Sequence, residues 1–226
     1  MLHGSCRKPH FNGPDGLARV DSELQAILND TAGVTLADWP SVLIMSGDQI
    51  YTDDVAGPML KAIHCVVKTL RFPPENLPGL TSHQVHEENP SFYNRQSLLP
   101  MSKQRDSVVK ILFKGARKPV FTSSNSQNHL ITLAEVLSMY LLVWSPTLWR
   151  TIGEEWRSLP ANLDEKHHKR WHEECQYIQQ FIQHLEAVSR GLAHVPVAMI
   201  FDDHDVTDDW NLSADWEQTA YSNPLS

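Results

Sequence analysis

Apolar and polar positions along this chain predict short strands separated by helices. Residues 41–46 and 195–201 are continuous apolar runs, which are typical of strands buried on both faces of a sheet. Residues 1–4 resemble the end of another strand, and residues 118–124 are compatible with a further short one. The pattern therefore favours a buried sheet near the centre of the fold.

Helical spacing of apolar positions fills much of the chain between these runs. Residues 20–23 look like the hydrophobic staple and N-cap of a helix that runs to about Asn29. An amphipathic helix should end at about Leu70, and a helix over residues 164–190 should end at Gly191. Residues 128–144 are helical and apolar on most faces, so we expect this helix to be buried. Its expected core side comprises Leu130, Leu133, Val136, Leu137, Tyr140 and Leu141.

The order of these elements indicates an α/β fold. Strands and helices alternate, then a long excursion over residues 71–120 precedes further helices and the last strand. An excursion of this length inside a compact domain is either functional, as a lid or substrate-binding segment, or mobile. The chain of 226 residues suits one domain with a sizeable core.

Charge and composition narrow the range of partners. A net charge of −8 with histidine neutral makes a nucleic-acid surface or an anionic membrane a poor default partner. The sequence holds no apolar run of membrane-spanning length and no signal-peptide pattern, which leaves the cellular location unknown. Three widely spaced cysteines argue against a disulfide framework, and we expect Cys65 and Cys175 to be small core residues.

The strongest chemical signal follows the apolar run at 195–201. Asp202, Asp203, His204 and Asp205 come directly after it. Four adjacent titratable side chains at the end of a buried strand are costly unless something positive neutralises them. Because loops after strands aim side chains into crevices, these residues are candidates for a metal or catalytic site. A solvated acidic loop is the alternative interpretation.

Two other strand ends carry groups that suit a metal. The Asp48 carboxylate and the Tyr51 phenol lie about one turn apart and can share a cation, and ferric iron could hold the phenol as phenolate. Cys6 lies beside three potentially cationic residues, which favour the thiolate form. A simple turn with Tyr51 in the core is the alternative. We expect the thiol, the carboxylate–phenol pair and the Asp/His cluster to converge on one cation pocket.

These segments resemble signature blocks of the PhoD-like (alkaline phosphatase D) metallophosphatases of the calcineurin-like superfamily. The matching blocks are residues 4–10, 47–54 and 201–210, with a helical block at 128–135, so the likeness spans most of the chain. The resemblance implies a calcineurin-like fold of β-sandwich layers flanked by helices. It also implies hydrolysis of small-molecule or polymeric phosphate mono- or diesters by a metal-bound hydroxide.

The resemblance assigns ligand roles at the first two strand ends. Cys6 would supply a thiolate to iron. Asp48 would bridge two metal ions, and Tyr51 would ligate the ferric ion. Iron with calcium is the cofactor combination that the family implies.

At the third strand end the resemblance implies both ligands and an acid. Asp203 would stand where related enzymes place an asparagine metal ligand. His204 would be the catalytic histidine near the leaving group. Asp202 and Asp205 would either touch metal or orient their neighbours.

The sequence also departs from the family. Related enzymes complete the metal site with histidines from Val-x-x-His and Gly-His-x-His blocks, and no such block follows Asn211. We therefore expect residues 1–226 to form a single incomplete domain that lacks the C-terminal part of the fold and has weak or no activity alone. The alternative is a non-catalytic truncated domain that serves as a binding or assembly module. A P-loop nucleotide hydrolase is disfavoured because the sequence has no Gly-x-x-x-x-Gly-Lys-Ser/Thr stretch.

Overall fold

The structure is a computed structural model that describes residues 1–29, 35–77, 80–88, 91–99, 126–208 and 210–222. Its architecture is mixed α/β, as the order of apolar runs predicted. The predicted strand at 118–124 lies outside the described residues. So does most of the second half of the predicted excursion over residues 71–120.

Three short strands form a parallel sheet. They are β1 (Leu2–Gly4), β2 (Leu43–Met45) and β5 (Val197–Met199), in the order β1-β2-β5. Strands β3 (Asn76–Leu77) and β4 (Leu80–Thr81) form a separate antiparallel pair. Because β1, β2 and β5 run in one direction, the loops that follow them leave from the same edge of the sheet.

The central strand β2 is buried as the sequence predicted, but β5 is not. Leu43 and Met45 are each 1% exposed, whereas Met199, Ile200 and Phe201 are 48%, 62% and 55% exposed. The apolar run at 195–201 therefore does not form a strand buried on both faces. The reason is position: β5 is at one edge of the sheet, and its side chains from 198 onward face solvent.

The described part of the chain contains six α-helices. They are α1 (Ala18–Leu28), α2 (Gly57–Leu70), α3 (Leu133–Trp144), α4 (Pro146–Ile152), α5 (His168–His194) and α6 (Ala214–Tyr221). Helix α2 ends at Leu70 as predicted, and one side of it is at the centre of the main hydrophobic core. The buried residues of that side are Met59, Leu60, Ile63, Val66 and Val67.

Helices α1 and α5 correct two predictions about helix ends. Helix α1 begins at Ala18, so Ser22 lies inside it rather than at its N-cap; Asp21 instead accepts two hydrogen bonds from Arg190 of α5. Helix α5 passes through Gly191 and continues to His194. A Cβ at Gly191 would lie only 3.1 Å from the Asp21 backbone nitrogen, so this glycine permits close helix packing rather than helix termination.

Helix α3 buries a different face from the one predicted. Leu133, Leu137 and Leu141 are 62%, 42% and 40% exposed, whereas Glu135 and Ser138 are fully buried. The cause is a capping box, in which Thr132 and Glu135 satisfy each other's backbone N–H groups and direct Glu135 inward. The remaining residues of α3 are buried or half-buried, so the prediction that this helix is buried is confirmed. The prediction that Leu133, Leu137 and Leu141 face the core is wrong.

Candidate metal centre

The loops after β1, β2 and β5 are joined by backbone hydrogen bonds. The N–H of Cys6 donates to the carbonyl oxygen of Gly47 (3.2 Å), and the N–H of Arg7 donates to that of Asp48 (2.9 Å). The N–H of Thr52 donates to the carbonyl oxygen of His204 (2.9 Å). These bonds hold the loops that carry Cys6, Asp48 and His204 side by side at the carboxyl edge of the sheet.

Backbone strain is concentrated in the same loops. Cys6 and Asp48 have φ of 59° and 49°, in the left-handed region that is unfavourable for residues with a Cβ. Gly47 has φ of 136°, and a Cβ there would lie 2.6 Å from Cβ of Asp202. Such conformations persist where surrounding structure enforces them, and they cluster at functional sites.

Side chains from all three loops come together around Asp48. The Sγ of Cys6 lies 3.1 Å from Oδ2 of Asp48, and the hydroxyl of Tyr51 donates to the same oxygen at 3.3 Å. Ligand atoms of Asp48, Asp203 and His204 all lie within 4.8 Å of one another. The structure thus brings together the thiol, the carboxylate–phenol pair and the Asp/His cluster.

The second carboxylate oxygen of Asp48 favours a bound cation. Asp48 is 7% exposed, and its Oδ1 is buried with no hydrogen-bond partner among the described residues. A buried carboxylate oxygen without a donor is costly unless a cation contacts it. Thiol, phenol, imidazole and carboxylate donors suit iron, and the carboxylates also suit calcium, so the donor set fits the metals that the resemblance implies.

The surroundings of Tyr51 disfavour its phenolate form, so only a bound metal ion would stabilise the phenolate. Partial burial raises the pKa of the Tyr51 phenol well above its ordinary value, and the neighbouring Cys6 and Asp48 raise it further. The phenol therefore stays protonated near neutral pH in the free protein. A metal that takes Tyr51 as a ligand must displace this proton.

His204 is held by a carboxylate that the sequence analysis missed. Its Nδ1 lies 2.9 Å and 3.0 Å from the two carboxylate oxygens of Asp53, which is fully buried. Burial lowers the pKa of His204, but the hydrogen bond and charge of Asp53, with the charges of Asp48 and Asp203, outweigh it and raise the pKa above 6.5. The imidazole also stacks on the Tyr51 ring at 4.4 Å. Asp53 lies in the block of residues 47–54, but its partner His204 is 151 residues away in sequence, so the pairing could not be predicted from spacing.

Asp205 lies next to this centre and stabilises the loops around it. Its two oxygens accept hydrogen bonds from the backbone N–H groups of Gln49, Ile50 and Asp202, and from the hydroxyl of Tyr140. With four donors, the Asp205 carboxylate joins the loops after β2 and β5 to helix α3. The resemblance allowed Asp205 either to contact metal or to orient its neighbours, and these hydrogen bonds fit the orienting role.

Asp202 lies at the exposed rim of the same loops. Its Oδ1 accepts a hydrogen bond from the backbone N–H of Asp203, and its side chain packs over Gly47. Asp202 is not in the group of Asp48, Asp203 and His204 whose ligand atoms lie within 4.8 Å of one another among the described residues. Its contacts support the conformation of the loop that carries Asp203 and His204.

The cationic residues after Cys6 are paired with carboxylates. Arg7 donates to Asp15 at 2.7 Å. Lys8 and His10 both contact the Asp54 carboxylate. Proximity in sequence therefore does not place these three charges on the Cys6 thiol, whose contact is with Asp48. Cys175 is a buried core residue as predicted, and burial raises the pKa of its thiol to about 11. Cys65 is half-buried and lies outside the core clusters.

A second cluster of potential ligands lies inside the helical core. Ligand atoms of His64, His86 and Glu135 fall within 4.8 Å of one another. Arg95, which is fully buried, donates to Glu135 at 2.6 Å from its Nη2. Because the guanidinium already supplies the positive charge, this cluster is better described as a buried hydrogen-bond network that links α2 and α3 through His86 and Arg95. The sequence did not predict this network because His86 and Arg95 lie in the long excursion over residues 71–120, which has little helical or strand periodicity.

Comparison with protein-family models, with curated proteins and with solved structures finds no match to this chain. Among the described residues, no helix has the length and apolar character needed to cross a bilayer.

Proposed function

We propose that this chain carries the metal centre of a phosphoesterase of the PhoD-like, calcineurin-like type. The reaction would be metal-dependent hydrolysis of phosphate mono- or diesters, with iron and calcium as the metals. The proposal rests on donor chemistry: a thiol, a phenol, two carboxylates and an imidazole from three strand ends meet in one place. Such a mixture is typical of centres that hold more than one ion.

The single observation that carries the proposal is the state of Asp48. One of its oxygens contacts Cys6 and Tyr51, and the other is buried with no partner in the described part of the chain. Asp48 would therefore be the residue that holds both metals, and its carboxylate would offset their charge. The left-handed backbone of Asp48 shows that the fold holds this side chain in a strained position.

The chain's own residues would divide the work as follows. Cys6, Asp48, Tyr51 and Asp203 would hold the metals, which when bound would activate the attacking water and offset charge on the phosphate. Asp53 accepts a hydrogen bond from Nδ1–H of His204, so Nε2 would carry a second proton only in the imidazolium form, which the Asp53 charge favours. From Nε2 His204 would donate to the oxygen of the leaving group.

Asp53 would act on His204 in two ways. As a fully buried acceptor it fixes the ring orientation, and as a negative charge it favours the protonated imidazole. The protonated imidazole is the form that can donate to a leaving alkoxide. Asp53 is therefore a positioning residue of the proposed reaction.

Removal of the proposed bridge tests this function. We expect the Asp48→Asn chain, loaded with iron and calcium, to lose at least tenfold of any hydrolysis of bis-p-nitrophenyl phosphate shown by the wild type, because the amide cannot bridge two cations. The matched control is Asp164→Asn, an exposed helix-capping position where asparagine also caps. Turnover by the wild type that needs no metal, or that survives Asp48→Asn, would contradict the proposal.

One observation favours the alternative of a non-catalytic binding or assembly module. The edge strand β5 and the residues after it expose Met199, Ile200 and Phe201. Exposed apolar strands at a sheet edge are able to pair with another chain. Sedimentation of the wild type and of Phe201→Glu tests this role: a concentration-dependent assembly that the charge abolishes would support it, and a monomer at all concentrations would contradict it.

A further inference from the structure

A short segment ahead of helix α3 fixes the loop that follows β2. The side-chain amide of the fully buried Asn128 donates to the carbonyl oxygen of Val55 at 2.8 Å. The backbone N–H of Leu130 donates to the carbonyl oxygen of Thr52 at 2.7 Å. Because Asp53 lies between Thr52 and Val55, these two bonds hold the backbone on both sides of it. The Asp53 carboxylate is therefore carried by a segment that is fixed from outside its own loop.

His129, the middle residue of this tripeptide, contacts the loop that follows β5. The residue is 4% exposed, and its Nε2 lies 3.1 Å from the hydroxyl oxygen of Thr207. Thr207 is 1% exposed and comes three residues after His204 in sequence. The same tripeptide therefore contacts the loops of both members of the Asp53–His204 hydrogen bond.

The tautomer of His129 fixes the direction of its bond to Thr207. Its Nδ1 lies 2.6 Å from the carbonyl oxygen of Leu130, which can only accept, so Nδ1 carries the proton. Burial lowers the pKa of His129, which favours the neutral imidazole. Nε2 is then an acceptor, and the Thr207 hydroxyl donates to it.

The tripeptide is itself anchored in the helical core. Nη1 of the fully buried Arg95 donates to the carbonyl oxygen of His129 at 2.9 Å, while its Nη2 donates to Glu135 of α3. The Oδ1 of Asn128 accepts the backbone N–H of Tyr93 at 2.6 Å. Because this support has fixed partners of its own, it can hold the two loops in register with each other.

We propose that His129 is a positioning residue for the Asp53–His204 pair, which it holds through the Thr207 hydroxyl. This inference rests on the proposed role of His204 as proton donor. A donor must lie within hydrogen-bond reach of the leaving oxygen, and a displacement of about 1 Å can cost about 100-fold in rate. Val206, beside Thr207, is 41% exposed, so the loop is held from its inner side, where Thr207 lies.

Amide hydrogen exchange of the metal-free chain reports on this loop without any need for turnover. The N–H groups of Val206 and Thr207 donate to the carbonyl oxygen of Asp203, and that of Asp208 donates to the Asp53 carboxylate. Amides bonded in this way exchange when the loop opens, so their rates measure how firmly the loop is held.

Two substitutions at the same position isolate the hydroxyl. Thr207→Val removes it and keeps the shape of the side chain, whereas Thr207→Ser keeps it. We expect the amides of residues 206–208 to exchange about tenfold faster or more in Thr207→Val, because a lost buried hydrogen bond contributes about that factor, and to stay close to the wild-type rate in Thr207→Ser. The ring protons of His204, which stacks on Tyr51, should shift in the NMR spectrum of Thr207→Val and keep their wild-type position in Thr207→Ser.

Thr69→Val is the matched control, because the exposed Thr69 hydroxyl also donates to a backbone carbonyl, that of Cys65 at 2.7 Å. It should alter neither measurement. Unchanged exchange in folded Thr207→Val, faster exchange spread evenly over the chain, or failure of Thr207→Ser to restore the slow rate would overturn the inference. If Thr207→Val does not fold, the ¹⁵N NMR spectrum of the wild type decides: a proton on Nδ1 of His129 alone supports the inference, and a proton on Nε2 overturns it.

Turnover separates this inference from the phosphoesterase proposal. In a metal-loaded chain that hydrolyses bis-p-nitrophenyl phosphate, Thr207→Val should lower kcat about fivefold or more with KM unchanged, because the hydroxyl positions His204 and does not bind substrate. An unchanged kcat there would count against the positioning role. A wild type without turnover would contradict the phosphoesterase proposal alone, and the exchange rates would still decide the role of His129.

Discussion

At the scale of single residues, the centre depends on a glycine that has no ligand atom. Gly47 combines a φ of 136° with a position directly beneath Asp202. Any side chain at this position would strain the backbone and push on the loop that carries Asp203 and His204. The approach of the loops after β2 and β5 is therefore set by the absence of a Cβ at Gly47.

We predict that Gly47→Ala destabilises the fold by about 3 kcal/mol, from backbone strain plus a 2.6 Å approach to Cβ of Asp202. The measurement is urea denaturation followed by circular dichroism. Because the loops must separate to accommodate the methyl group, iron binding should weaken as well.

Two other glycines serve as matched controls. At Gly16 no described atom lies within 4 Å of an added Cβ, so Gly16→Ala should change stability by less than about 0.5 kcal/mol. Gly153 has φ of 65° and open space around it, so Gly153→Ala isolates backbone strain at about 1 kcal/mol. A Gly47→Ala effect no larger than that of Gly153→Ala would refute the role of the close approach.

At the scale of elements, the network around Glu135 connects helices α2 and α3 with His86 and Arg95. The ring centroids of His64 and His86 are 5.2 Å apart, and His86 also contacts the Thr132 hydroxyl at 3.0 Å. Burial is the main cause that lowers the pKa of both histidines, with Arg95 adding to it and Glu135 opposing it. The folded network therefore favours neutral imidazoles.

The sign of the resulting pH dependence follows from linkage. Because the folded pKa of each histidine lies below the unfolded value of about 6.5, the unfolded chain binds more protons as the pH falls. The stabilisation is complete above pH of about 6.5 and decreases below it. We predict that His86→Gln, which keeps a donor for Thr132, reduces the slope of unfolding free energy against pH between about 5 and 6.5 by up to 1.4 kcal/mol per pH unit.

The control for this prediction is His172→Gln on the exposed side of α5. It should leave the slope as it is in the wild type. Urea denaturation at a series of pH values measures the slopes. Equal slopes in His86→Gln and His172→Gln would show that His86 is not buried in its neutral form.

At the scale of the whole molecule, sequence patterns predicted where the chemistry would gather. Each block follows an apolar run, and parallel strands bring the ends of such runs to one edge, so Cys6, Asp48 and His204 could be expected to meet. The order of strands and helices could be predicted from the spacing of apolar residues. Apolar spacing and the position of polar blocks after apolar runs are both local features of the sequence, and the fold preserves them.

Long-range pairing could not be predicted in the same way. Asp53 and Arg95 look like ordinary polar residues until the fold places His204 and Glu135 against them. The buried face of α3 was mispredicted because those partners make it favourable to bury Glu135 in place of leucines. The exposure of β5 depends on its place at the edge of the sheet, which an apolar run does not encode.

The most direct test of the central claim is the visible absorption spectrum of the chain after addition of ferric iron. A phenolate bound to ferric iron absorbs visible light through charge transfer, so the wild type should develop a visible band with one equivalent of iron. Because a Cys6 thiolate on ferric iron would absorb as well, the comparison is made in the Cys6→Ser background, where Tyr51→Phe should lose the band and Tyr221→Phe, which alters an exposed phenol, should retain it. A wild type without the band, or a Tyr51→Phe chain that keeps it in that background, would contradict the convergence of Cys6, Asp48 and Tyr51 on a common cation.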